Sequence, residues 1–162
     1  MDWFSQIKII GEVALAMFLG GLIGVEREIA NKPAGFRTHM LVAGAAAMLV
    51  ALGEVVAIDF LKNVPNEAVR SDPMRIIGAI VTGVSFLGAG TIFRNQKGEH
   101  VEGLTTAATI LLSAAIGTAV SVKQIVLAIG VTVLSLAVLR GARIMETWIG
   151  QKKEREKSRQ TF

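Results

Sequence analysis

Between long apolar runs the chain carries Glu26-Arg27-Glu28, Arg37-Thr38-His39, Arg94 and Thr105-Thr106. Carboxylates, guanidiniums, an imidazole and hydroxyls in such company can form a charge-paired network, and pairing is what makes charges tolerable beside lipid. Glu26 is expected to accept from Arg37 or Arg94. Snorkelling to the headgroups is the plainer reading of those two arginines. His39 is the one member able to titrate near neutral pH, and a hydrogen-bonded structural histidine is its plainer reading.

A second set of polar residues lies toward the other ends of the apolar runs. Lys8 and Glu12 are four residues apart, one above the other on a helix, where they could pair. Glu12 falls about two turns into its run, so the alternative to a structural pair is a proton or cation role. Glu54, Asp59, Glu67 and Asp72 make that side comparatively acidic. Glu12, Glu54 and Asp72 are weak candidates for an all-oxygen metal site, which spacing alone does not identify.

Other chemistries are excluded or unsupported. There is no cysteine and only His39 and His100 are histidines, so thiol catalysis, redox sensing and a histidine-rich zinc cage are out. No Walker loop, HExxH, Gly-x-Ser-x-Gly or cofactor fingerprint occurs. The expectation is a protein that is not an enzyme and has no cofactor.

The elements that position these residues follow from the apolar pattern. Of the 162 residues, 52% are hydrophobic and 19% charged, and the mean hydropathy is +0.54. A hydrocarbon core of about 30 Å needs about 20 apolar helical residues. Runs of that length predict transmembrane helices over 5–25, 38–58, 74–93, 103–122 and 124–142, forming an all-α integral membrane bundle over 1–149, with a basic tail over 150–162. Turns are expected at Lys32-Pro33-Ala34-Gly35, Asn63-Val64-Pro65-Asn66 and Asn95-Gln96-Lys97-Gly98. Asp72 reads as a cap with Pro73 at the first helical position. Ser121-Val122-Lys123-Gln124 is the tightest joint, which makes its flanking helices antiparallel neighbours. The start, Met1-Asp2-Trp3-Phe4, is not the basic region of a cleavable signal, so the first run reads as a retained span.

With that division, five basic residues fall on the N-terminal side and twelve on the other, accounting for all 17. The positive-inside rule then places the N-terminus outside and the C-terminus in the cytoplasm. The basic excess lies at membrane ends and in a tail held near lipid headgroups, so nucleic acid is not an expected partner. Trp148 reads as an interfacial anchor.

Small residues fill the span interiors, with Gly20, Gly24, Gly83, Gly88, Gly90 and Gly117 expected to permit close helix packing. Thr106, Thr109, Ser113 and Gly117 line one face of the fourth span. Gly78, Thr82, Ser85 and Ala89 do so on the third. Packing with local hydroxyl-to-carbonyl bonds is the plainer reading of both stripes, and a polar conduction path is the alternative.

Leu19-Gly20-Gly21-Leu22-Ile23-Gly24-Val25-Glu26-Arg27-Glu28, Lys32-Pro33-Ala34-Gly35-Phe36-Arg37-Thr38-His39, Asp72-Pro73-Met74-Arg75-Ile76, Phe86-Leu87-Gly88-Ala89-Gly90-Thr91-Ile92-Phe93-Arg94 and Gly103-Leu104-Thr105-Thr106-Ala107-Ala108 resemble, in order, the signature of the MgtC/SapB family. The resemblance implies a bacterial inner-membrane protein of four or five helices. Its best-known members support growth in low magnesium and survival in host cells by binding other membrane proteins. The virulence-type members carry a soluble C-terminal domain, and this sequence reads as a short form without it. Phe36 stands where leucine is usual, and Leu111 where many relatives have tryptophan.

The functional expectation is a non-enzymatic membrane protein that binds and modulates other membrane proteins in adaptation to low magnesium or stress. A cation (magnesium) or proton transporter is the alternative. The partners expected are the bilayer, other membrane proteins, and a homodimer or hetero-complex.

Overall fold

The computed structural model describes the backbone of residues 2–63, 73–94 and 101–160, and the side chains of 2–59, 74–93 and 101–145. Five helices run in order: α1 (Trp3–Ile29), α2 (Phe36–Asn63), α3 (Pro73–Gly90), α4 (Leu104–Ser121) and α5 (Ile125–Gln160). Among the described residues, four are long and apolar enough to cross a membrane. The fourth of these, α5, continues without a break past its apolar part, Ile125–Met145, to Gln160, so the basic tail is a helical extension.

The exception is α3. At 18 residues it is about 27 Å long, slightly short of the hydrocarbon core. The sequence predicts helix as far as Phe93, but α3 stops at Gly90, where Thr91 turns back to the Gly88 carbonyl through both its N–H and its hydroxyl. Two glycines in the last three residues weaken the helix there. Phe93–Arg94 then forms a strand, β1, paired antiparallel with β2, Val101–Glu102. Arg94 is therefore in a hairpin rather than at a helix end. Gly103 lets the hairpin meet α4: its φ is +88°, and a Cβ there would run into the Thr91 carbonyl oxygen. Pro73 opens α3 as its fixed φ predicts. Asp72, Glu67 and the turns at 64–66 and 95–98 lie outside the described residues, as does the Trp148 side chain.

At its centre are α1, α2 and α4, with α3 set against α4 and α2, and α5 against α1 and α4. One core cluster joins Ala16, Leu19 and Ile23 of α1 to Ala47, Ile116, Val120, Ala128 and Leu139. A second joins Ala46 to Ile80, Val84, Ile110 and Ala114. Small residues set the closeness of the centre. Ala43 of α2 is held between Gly20 of α1 and Gly117 of α4. A Cβ on Gly20 would be 2.6 Å from the Ala43 methyl, and one on Gly117 would overlap the Ala43 carbonyl. One turn further toward the α1–α2 loop, a Cβ on Gly24 would be 2.6 Å from the Phe36 Cα. Gly88 makes ordinary contact with Ala107. Gly83 and Gly90 were expected to pack similarly, yet both are exposed and a Cβ at either would meet nothing within 4 Å.

The α4–α5 joint is as tight as its sequence predicts. Lys123 takes a positive φ of 63°, and the N–H groups of Val122, Lys123 and Gln124 return to the Thr118, Val120 and Ala119 carbonyls. That satisfies the last carbonyls of α4 in the manner of a helix C-cap.

Candidate functional site: a buried polar cluster among α1, α2 and α4

One turn from Ala43 along α2, at the same three-helix contact, lies His39, which is fully buried. The small residues bring α1 and α4 close enough for its ring to reach both its own turn and the next helix. Nδ1 lies 2.8 Å from the Gly35 carbonyl, and Nε2 lies 2.9 Å from the Thr109 hydroxyl of α4. A carbonyl only accepts, so Nδ1 carries a proton. The Thr109 hydroxyl also lies 2.9 Å from the Thr106 carbonyl. With one proton and two acceptors, it donates to Nε2 when the ring is neutral, and to Thr106 when Nε2 itself is protonated.

The α4 stripe read from the sequence faces this site, with Thr106, Thr109, Ser113 and Gly117 all buried. Ser113 continues the line by donating to the Thr109 carbonyl. The α3 stripe faces outward instead: Thr82 and Ser85 are exposed and bond back to the Gly78 and Val81 carbonyls. Thr105 is exposed and lines a groove of about 360 Å³ between α4 and α5, which Thr109, Leu134 and Val138 also line.

Beside His39, the last turn of α1 buries Glu26 and Arg27, each 4% exposed. They bond to each other, Arg27 Nε donating to Glu26 Oε2 at 2.5 Å. Of the two partners expected for Glu26, Arg37 forms no ion pair with it, and its neighbour Arg27 bonds to it instead. The helical turn accounts for Arg37: two residues are about 200° apart, so with His39 facing inward, Arg37 faces outward and is exposed. Arg94, in β1, has its side chain outside the described residues. Glu26 Oε1 is buried and has no bonding partner among the described residues. Glu28, whose role the sequence did not reveal, accepts the Phe36 N–H at 2.8 Å and so caps the start of α2.

At the opposite end, Glu12 pairs with Lys123 of the α4–α5 joint instead of with Lys8. Glu12 shares a stripe with Ala16, Leu19 and Ile23, at spacings of four, seven and eleven residues, and that stripe faces the core. Lys8 is exposed. Glu12 Oε2 and the Ser121 hydroxyl are buried without partners among the described residues. Glu54 is exposed on α2. Among the described residues, no group of three or more His, Asp or Glu is placed to hold a metal ion.

Comparisons with known proteins fit this architecture. Residues 13–148 match the model of the MgtC family. The chain is 42% identical over 117 residues to Protein MgtC of Brucella abortus, covering 72% of this chain and 44% of that protein. It is 39% identical over 133 residues to the Escherichia coli K12 protein named "Putative magnesium transporter YhiD", covering 82% and 59%. It is 35% identical over 155 residues to an uncharacterized protein of Haemophilus influenzae, covering 96% and 64%. The chain thus spans 44–64% of the length of these relatives. No solved structure matches.

Proposed function

The chain belongs to the MgtC family of membrane proteins, and from that premise we propose that it is a non-catalytic bacterial inner-membrane protein that binds and modulates other membrane proteins in adaptation to low magnesium or stress. The observation that carries the reading is the face of α5. Gly130, Leu134, Ala137 and Gly141 recur at helical spacing and are all exposed. A Cβ on Gly130 or Gly141 would meet nothing within 4 Å. Glycine in a helix interior costs about 1 kcal/mol relative to alanine, and the core of this chain does not need either one. Small residues on an outward face suit a neighbouring helix, because they let backbones approach in lipid. Only 17% of the apolar part of α5 is buried, against 33–50% of the other three long helices. The basic excess toward the C-terminus supports a cytoplasmic C-terminus. The test is recovery of the chain from membranes in lipid discs: a stoichiometric helix-bearing partner or second copy is expected, lost when Gly130 and Gly141 are both changed to leucine.

A second reading, a cation or proton transporter, is favoured by one specific feature, the unpartnered buried Oε2 of Glu12, and by the magnesium-transporter name of the E. coli relative. On that reading, flux of magnesium or protons into liposomes is abolished by Glu12→Gln. Absence of flux in the unaltered protein overturns it.

A further inference from the structure

A groove of about 480 Å³ runs between α2 and α3. Its walls are apolar, with Ala45, Leu49 and Gly53 on α2 and Ile76, Ala79 and Gly83 on α3. Arg75 is the one charged residue that lines it. Arg75 lies in the first turn of α3, at the membrane edge. Its side chain is exposed, and it forms no ion pair with a described residue, Glu54 on the neighbouring helix included. The groove extends along α3 from Arg75 to Val84, nine residues, or about 14 Å of helix. That is roughly half of a hydrocarbon core of about 30 Å. The groove therefore begins at headgroup level and ends near the bilayer midplane.

A helix from a second copy would cross both leaflets, whereas a phospholipid matches both the one-leaflet depth and the single cation at the rim. We propose that this groove is a binding site for one anionic phospholipid from the leaflet on the N-terminal side. The phosphate bonds to the Arg75 guanidinium, which suits phosphate oxygens through its paired donors. An acyl chain lies along the groove between Gly53 and Gly83. At the rim, Gly53 sets how closely the helices approach, because a Cβ there would overlap the end of Ile76.

The test uses the full chain in mild detergent, equilibrated with equal amounts of phosphatidylglycerol and phosphatidylcholine, with retained lipid read by native mass spectrometry. One bound phosphatidylglycerol is expected, preferred by about fivefold, the factor one basic residue contributes near an anionic lipid. Arg75→Gln should remove the preference and Arg75→Lys should restore most of it. Gly83→Leu should reduce retention of both lipids; the added side chain enters open space, and an unchanged melting curve verifies the fold. Equal retention of the two lipids by the unaltered protein overturns the proposal, as does a preference that survives Arg75→Gln. A Gly83→Leu protein that loses a dimer yet keeps its lipid also overturns it, since the groove's occupant is then a second copy.

Discussion

The buried Glu26–Arg27 pair is expensive to disturb on one side only. Removing one partner of a buried ion pair costs about 3–5 kcal/mol, because the other charge stays buried and unpaired, whereas replacing both with apolar groups of similar volume is near neutral or better. Glu26→Ala should therefore lower the melting temperature and abundance sharply, and Glu26→Leu combined with Arg27→Met should recover most of the loss. Equal melting curves for Glu26→Ala and the unaltered protein would show that the pairing is unimportant. Thr109→Val removes the bond to His39 Nε2 and should cost about 1–3 kcal/mol as an unmade buried hydrogen bond. Thr109→Ser should restore it, as checked by denaturation in the same detergent. The sequence revealed which groups gather here, because the hydroxyl stripe has a helical period and the charges fall near helix ends. It did not reveal who bonds to whom. The Glu26 partner depended on the rotation of α2, which turns His39 inward and Arg37 outward, and the Glu12 partner on a lysine 111 residues away in the chain.

Among the elements, the glycines divide by what stands beside them. Gly117→Ala would drive a methyl into the Ala43 backbone, where no side chain can swing aside. Overpacking of that kind costs about 1–3 kcal/mol, so loss of the folded fraction is expected in a thermal melt. Gly130→Ala adds its methyl to open space and should stabilise an isolated chain by up to about 1 kcal/mol. An equal effect at both positions would contradict the placement of Ala43 between Gly20 and Gly117. From sequence, both glycines look alike, as small residues in apolar helices. Helix number and order were legible because apolar length and charged ends are strong signals. The β1–β2 hairpin was hidden, because Ile92 and Phe93 extend an apolar run that composition alone reads as helix.

At the scale of the whole molecule, a three-helix centre closed by small residues leaves α3 and α5 with much of their surface outward. The membrane protein so built buries the His39–Thr109 and Glu26–Arg27 bonds and leaves Gly130 and Gly141 outside, which suits the proposed role of lying against other helices. The most direct measurement is the composition of the complex drawn from native membranes into lipid discs without detergent, for the unaltered chain and for Gly130→Leu with Gly141→Leu. A fixed ratio of the chain to one membrane partner or a second copy, lost in the double variant while its melting curve is unchanged, is the predicted result. Recovery of the chain as a lone monomer, or a partner or second copy that remains bound to the double variant, would contradict it.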